Sequence, residues 1–245
     1  MLQPLIIQDS ITIAANDVNT NVIASNASLK PMQRLPFPAK IEVAFVQSAE
    51  GLEMNMDVGA SNIISSSNGR VSSGAPEIPF DVVNQNAYGA EGDTLVLKAA
   101  NTTAGAIELR YIIIATPMAP SGTRVQLPPN TVVIQQGPIS IADGTVDQQL
   151  LDGLRYERAP VESMLDILMT SSAAGLTRQA YVDQTRVAPP STISLANRVP
   201  QDPTDMTVGG IHVPEDKEIQ LEITNQSGGA LDVFWKMLLH QLVRQ

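Results

Sequence analysis

The 245-residue chain contains no cysteine. A disulfide framework, a thiolate nucleophile and a zinc-thiolate site are therefore all excluded. Aromatic residues are scarce at 4%, and histidine occurs only twice, at His212 and His240. Two histidines so far apart in the chain cannot supply the His-x-His ligands of a metal-dependent cupin. No apolar run approaches the roughly 18 to 20 residues that a membrane-spanning helix needs, and Met1 to Leu5 has neither a basic n-region nor an apolar h-region. The expectation is a chain that is neither inserted in a membrane nor exported by a signal peptide.

Positive charge is also in short supply. Fifteen Lys and Arg face 25 Asp and Glu, for a net charge of −10, and the basic residues are scattered. No stripe is available to neutralise phosphates, so direct nucleic-acid binding is disfavoured. There is no Gly-x-Ser-x-Gly elbow, no phosphate-binding loop ending in Gly-Lys-Ser, and no Gly-x-Gly-x-x-Gly, so no cofactor motif is present.

What the chain does have is apolar residues (43%), 17 prolines and 16 glycines. That hydrophobic content is enough for a folded core, and the frequent turn formers favour short strands in an all-β fold. A repeat organises them. At an offset of 124 residues, Asn101-Thr-Thr-Ala-Gly105-Ala106-Ile-Glu-Leu109-Arg-Tyr111 aligns with Asn225-Gln-Ser-Gly-Gly229-Ala230-Leu-Asp-Val233-Phe-Trp235. The same offset pairs Arg34 with Arg158, Pro36 with Pro160, Gly51-Leu52 with Gly175-Leu176, Pro76 with Pro200, Pro79 with Pro203, and Asp81 with Asp205. An offset of 128 sets Ile11-Thr-Ile13-Ala14 over Ile139-Ser-Ile141-Ala142. Substitutions keep apolar residues on the same alternate positions, as where Ile41-Glu-Val43 answers Leu165-Asp-Ile167. Both halves should share one fold of about 120 residues, a comfortable domain size. Their seam is placed near Ser121, where Pro117 to Pro129 is rich in proline and glycine.

Within the first copy the pattern predicts strands over Ile11–Ala15, Ile41–Ser48, Leu52–Val58, Thr94–Ala99 and Ala106–Thr116, and about eight strands per copy once weaker runs are counted. The clearest hairpin joins Leu95 to Ala99 with Ile107 to Tyr111 through the Asn101–Gly105 turn, and its twin joins Ile219 to Ile223 with Leu231 to Trp235. Helical spacing over Val146–Gly153 predicts a short helix. Phe234–Val243 has helical character too, but its twin Arg110–Thr116 is largely β-branched, which favours a strand.

Candidate sites are few. Acid pairs occur at Asp143 with Asp147, Glu50 with Glu53, and Glu215 with Asp216. The first lies in a stretch that would hold calcium or stand as a solvated loop, and it lacks the ligand alternation of an EF-hand. Asn26-Ala-Ser and Asn101-Thr-Thr match a glycosylation acceptor pattern, but turn chemistry accounts better for Asn101. Tyr111 and Trp235, at equivalent points of the repeat, read as packing residues rather than a sugar-stacking pair.

The tandem arrangement resembles the double jelly-roll major capsid proteins of tailless, icosahedral, membrane-containing bacterial viruses. The hairpin Asn225 to Val233, with Ala196-Asn197-Arg198-Val199-Pro200 upstream, is similar to signatures of phage jelly-roll structural proteins. The resemblance spans the whole chain, though many members carry long loop insertions that these compact copies lack. It implies an all-β chain of two tandem eight-stranded antiparallel jelly-roll sandwiches related by internal duplication, residues 1–120 and 121–245. It further implies a non-enzymatic capsid shell subunit in the virion, made in the host cytoplasm. Such a subunit forms homotrimers packed into an icosahedral lattice, beside vertex proteins and an internal membrane. The residues themselves also leave open a two-domain β-sandwich binding module, either lectin-like or a minor receptor-binding virion protein. A carbohydrate-active β-sandwich using paired carboxylates is weaker, since neither copy has gained an acid or histidine cluster that the other lacks.

Overall fold

The computed structural model describes residues 3–200 and 205–243; Met1, Leu2 and Pro203 lie outside the described residues. The chain packs as two compact units, the first running through Val133 and the second spanning Ile134–Val243.

In the first unit the strands are β1 (Leu5–Ile13), β2 (Thr20–Asn21), β3 (Ala39–Gln47), β4 (Leu52–Val58), β5 (Ser61–Ser67), β6 (Arg70–Val71), β7 (Val82–Gly89), β8 (Leu95–Asn101) and β9 (Ile107–Pro117). One sheet runs β1-β9-β3-β7 and the other β2-β8-β4-β5, the Greek-key order of a jelly roll. The free side of β3 is shared, Ala39 to Ala44 pairing antiparallel with β7 while Val46 and Gln47 pair in parallel with β6.

The next strand, β10 (Thr131–Ile141), begins in the first unit. The second unit continues with β11 (Gln148–Gln149), β12 (Ser163–Ser171), β13 (Leu176–Val182), β14 (Thr185–Thr192), β15 (Ser194–Leu195), β16 (Met206–Val213), β17 (Ile219–Asn225) and β18 (Leu231–Gln241). Its sheets run β10-β18-β12-β16 and β11-β17-β13-β14, the same order again. Thr170 and Ser171 of β12 pair in parallel with β15, repeating what Val46 and Gln47 do with β6.

The correspondence is residue for residue. Leu52 to Val58 pair with Asn101 to Leu95 as Leu176 to Val182 pair with Asn225 to Ile219. Strands β3 and β12 share one burial pattern, and so do β4, β13, β8 and β17, where every second residue is buried. Strict alternation lets a strand cover a core with one face and meet water with the other. Each core is filled by such residues, Ile41, Leu97 and Tyr111 in one unit and Leu165, Leu221 and Trp235 in the other, all without exposed surface.

The helix expected over Val146–Gly153 does not form. Gln148 and Gln149 pair with Ile223 and Glu222, and the Leu150 N–H donates to the Leu221 carbonyl, so backbone groups that a helix would bond internally are taken by β17. Asp147 at φ +51° and Gly153 at φ +76° bound the stretch in left-handed conformations. Phe234 to Gln241 is strand, as its twin indicates. A four-residue helix, Val22–Ser25, occurs where none is expected; the Asn21 side chain caps it by accepting from the Ala24 N–H at 3.1 Å.

Candidate functional site

The folded chain brings both histidines to one face of the second unit. His212 on β16 and His240 on β18 each stand opposite Met164 of β12. Carboxylates two residues to either side of Met164, Glu162 just before β12 and Asp166 within it, hold them apart. His212 Nε2 lies 2.6 Å from Glu162 and His240 Nε2 lies 3.0 Å from Asp166. Asp166 also accepts from the Gly210 N–H at 2.7 Å. Each imidazole thus has a carboxylate partner, and among the described residues no group of three or more His, Asp or Glu side chains is arranged to hold a metal ion.

The acids of the sequence pairs are engaged with different partners or exposed. Asp143 accepts from the Gly228 N–H at 2.8 Å, whereas Asp147 takes Gln179 Nε2 at 3.0 Å and Thr224 Oγ1 at 3.2 Å. Asp216 adopts φ +61° and its carbonyl accepts from Arg158, while Glu50 sits exposed in the turn before β4. Asn26 is engaged locally, its amide donating to Asp9 at 2.7 Å. Tyr111 and Trp235 have no exposed surface, which removes them from sugar stacking. Burial, with the Asp9 carboxylate beside it, pushes the Tyr111 phenol well above its usual range.

Two ion pairs escaped the sequence reading. Arg70 grips Asp81 with two hydrogen bonds, 2.8 and 2.9 Å, and the buried carboxylate also accepts from the Glu77 N–H at 2.7 Å. In the second unit Asp205, the repeat partner of Asp81, is held at 2.9 Å by Arg198, which is not the repeat partner of Arg70. The acid keeps its place while its cation comes from elsewhere in the chain. A groove of about 330 Å³ lies beside β1, lined by Gln8, Ser10, Ala75, Pro76 and Arg110. The Arg110 guanidinium is spent there on Glu108 and on the carbonyls of Ser72 and Gly74, which pins the 72–76 loop.

The clearest difference between the units lies at one edge of the sandwich. In the first, the side where β5 and β7 end their sheets is sealed by Asn130 to Val133. Val133 pairs in parallel with Ile64. Asn130 accepts from the Tyr88 N–H at 2.6 Å, and the Thr131 carbonyl accepts from Asn84 Nδ2 at 2.8 Å, an amide that also holds the Ile63 carbonyl. All these groups are buried or nearly so. In the second unit β14 pairs only with β13, and β16 only with β12, among the described residues. Pro189 and Pro190 of β14 are exposed, as is Met206 at 46%.

No helix of the described residues is long and apolar enough to cross a membrane. Comparison with known proteins finds no family pattern that matches the chain and no matching curated protein. Among solved structures, the chain is similar to the major capsid protein P2 from bacteriophage PM2, at 8% identity and a TM-score of 0.42, covering 99% of this chain and 100% of that one. It is also similar to the vicilin from Solanum melongena, at 8% identity and a TM-score of 0.24 over 97% and 76% of the two chains. A third similarity is to recombinant peptide N-glycanase F, at 9% identity and a TM-score of 0.29 over 98% and 91%. At these identities and scores none of the three bears on function.

Proposed function

We propose that this protein is a viral structural protein, a capsid shell subunit that acts as a scaffold rather than an enzyme. The observation that supports the reading is the strand-for-strand repeat of two jelly-roll sandwiches in one chain, in the same sheet order and at the same offset. A trimer of such chains offers six near-equivalent barrels, enough to tile a hexagonal lattice with three subunits. The duplicated segments are residues 1–120 and 121–245, and the trimers pack into an icosahedral shell around a lipid-containing virion. Vertex proteins and the inner membrane are its neighbours. The acidic net charge of −10 suits a shell that faces lipid and protein rather than the genome.

Light scattering on the purified chain tests this directly. The expected mass is three times the 26.2 kDa of one chain, and electron microscopy should show a pseudo-hexagonal outline. A monomer at every concentration and salt tested would overturn the reading.

A further inference from the structure

The sealed edge of the first unit indicates what belongs on the corresponding edge of the second, which is unpaired among the described residues. Asn130 to Val133 are the residues that lead into and begin β10, and in the repeat β10 answers β1 at an offset of 128. The counterparts of Thr131, Val132 and Val133 are therefore Gln3, Pro4 and Leu5. Those residues lead into an edge strand, since β1 pairs only with β9 among the described residues. Gln3, Pro4 and Ile6 are exposed, and Leu5 is half-buried. On the receiving side, the counterpart of Ile64 at the 124 offset is Ala188 of β14.

We infer that Gln3 to Leu5 of a second copy of this chain seals the β14–β16 edge, with Leu5 set against Ala188 as Val133 is set against Ile64. The inference rests on the trimer reading above and names the contact that builds it. The occupant is a second copy because the chain carries both the sealing segment and a second edge of the same kind, which no strand of the described residues covers. Its chemistry differs from the internal version in a defined way. Pro4, Pro189 and Pro190 have no N–H, so a continuous ladder cannot form. Asn84, whose side-chain amide holds the Thr131 carbonyl in the internal seal, is replaced by Val208, whose side chain has no donor to offer. The contact between copies is therefore made chiefly by apolar side chains, Leu5 and Ile6 against Met206 and the exposed rings of Pro189 and Pro190 that follow the buried Ala188. It is weaker than the internal seal and open to reversible assembly. The same prolines keep unrelated strands from adding to the edge, which unprotected edge strands invite. A head-to-tail contact of this kind either closes into a ring or runs on as a filament, and closure after three copies gives the trimer.

The chain has no cysteine of its own, so paired cysteines report the contact without background. A Leu5→Cys, Ala188→Cys double variant of the full chain, mildly oxidised, should give disulfide-linked dimers and trimers on a non-reducing gel. Dithiothreitol should collapse them, and neither single variant should form the ladder. The spacing of directly paired strand residues, about 5 Å between Cα atoms, lies within disulfide range. A second variant guards against a folding defect: Pro190→Arg, at an exposed position, should lower the trimer fraction at least tenfold at micromolar concentration while leaving the melting temperature unchanged. If the wild-type chain is a trimer but the double variant gives no linked species, or Pro190→Arg leaves the trimer intact, this contact is overturned and the trimer reading survives. If the wild-type chain is a monomer throughout, both fall.

Discussion

Asn101 and Asn225 make matching hydrogen bonds in the two barrels. Each buried amide donates to the end of the unit's first long strand, at the Ile13 carbonyl (3.2 Å) and the Ile141 carbonyl (2.7 Å), and across its own turn to Gly105 and Gly229. Each side-chain oxygen accepts from the N–H and hydroxyl two residues on, at Thr103 and at Ser227. One side chain thereby closes a turn and ties the last hairpin to the first strand. Asn101→Ala and Asn225→Ala should each cost about 1 to 3 kcal/mol, because buried carbonyls lose a donor and nothing replaces it. Urea unfolding of the two variants checks this, and the two losses should be similar.

Gly51 and Gly175 face those turns, at φ +119° and +120°. A Cβ at either would meet the side chain two residues past the asparagine, 2.2 Å from Thr103 Cγ2 or 2.4 Å from Ser227 Cβ. Nothing lies within 4 Å of a Cβ at Gly105. Gly51→Ala and Gly175→Ala should each lower stability by about 1 to 3 kcal/mol or more through backbone strain alone, while Gly105→Ala should change the melting temperature little.

The repeat was legible in the sequence because its evidence is distributed: alternation in Leu95 to Leu97 and Ile107 to Tyr111, and the Asn-to-Gly turn that recurs at one offset. Strands without that alternation were not legible. β5 contains four serines among seven residues, β7 reads Val-Val-Asn-Gln-Asn-Ala-Tyr-Gly, and β14 contains Pro189 and Pro190. Their strand state follows from neighbours distant in the chain, such as the Asn84 amide that holds Ile63 and Thr131. β1 was placed too late because Leu5, Ile6 and Ile7 form an unbroken apolar run at an edge, where Ile6 is 51% exposed. The false helix at Val146–Gly153 shows the converse, local spacing overruled by pairing with β17. The histidines are 28 residues apart along the chain, yet antiparallel pairing sets them on either side of Met164. The Arg198–Asp205 pair is not legible from the repeat, because Arg198 answers Gly74 in the first copy while Asp81 is held by Arg70, which answers Ser194.

Acid should weaken the fold through a few identifiable carboxylates. Asp17 is held below its ordinary range by hydrogen bonds from the Thr20 hydroxyl and the Asn19 N–H. Glu108 is held down by the Ser10 hydroxyl and by Arg110. A carboxylate with a lower pKa folded than unfolded contributes stability that is complete above its unfolded pKa, about 4, and is lost as pH falls through the folded value. The melting temperature should therefore decline as pH drops below about 4. Ser10→Ala should move the Glu108 titration, followed by carbon-13 NMR, back toward the ordinary range.

Arg178 is a buried cation with no carboxylate partner among the described residues. It is 8% exposed and faces inward from β13; Nη2 donates to the Thr207 carbonyl, but Nε and Nη1 have no hydrogen-bond partner among the described residues. Burial pushes its pKa down. The counterpart in the first unit is Met54, fully buried and similar in length. Arg178→Met should therefore stabilise the second unit, by about 1 to 4 kcal/mol if it packs as Met54 does, as when buried charges elsewhere give way to apolar side chains. A lower unfolding midpoint in this variant would show that the Thr207 bond outweighs the desolvation of the charge.

A scaffold and an enzyme differ in which residues they can lose. Leu97 and Leu221 occupy the same place in the two cores and have no exposed surface. Truncating either to Ala removes buried apolar area and leaves a cavity, at about 2 to 5 kcal/mol. If the protein is a shell subunit, particle or trimer yield should fall with that loss. His212 and Asp147 sit at the surface, and among the described residues their side chains engage exposed or half-exposed partners: Glu162 for the histidine, Gln179 and Thr224 for the aspartate. Surface substitutions of this kind usually shift stability by no more than about 0.5 kcal/mol. His212→Ala and Asp147→Ala should thus leave both melting temperature and assembly nearly unchanged. The opposite pattern is equally definite: an Asp147→Ala chain that melts as wild type but no longer assembles would place a functional group, not a solvated loop, between β10 and β11. Assembly yield plotted against melting temperature for the four variants separates the two, because a scaffold puts all four on one line and a site pulls Asp147→Ala off it.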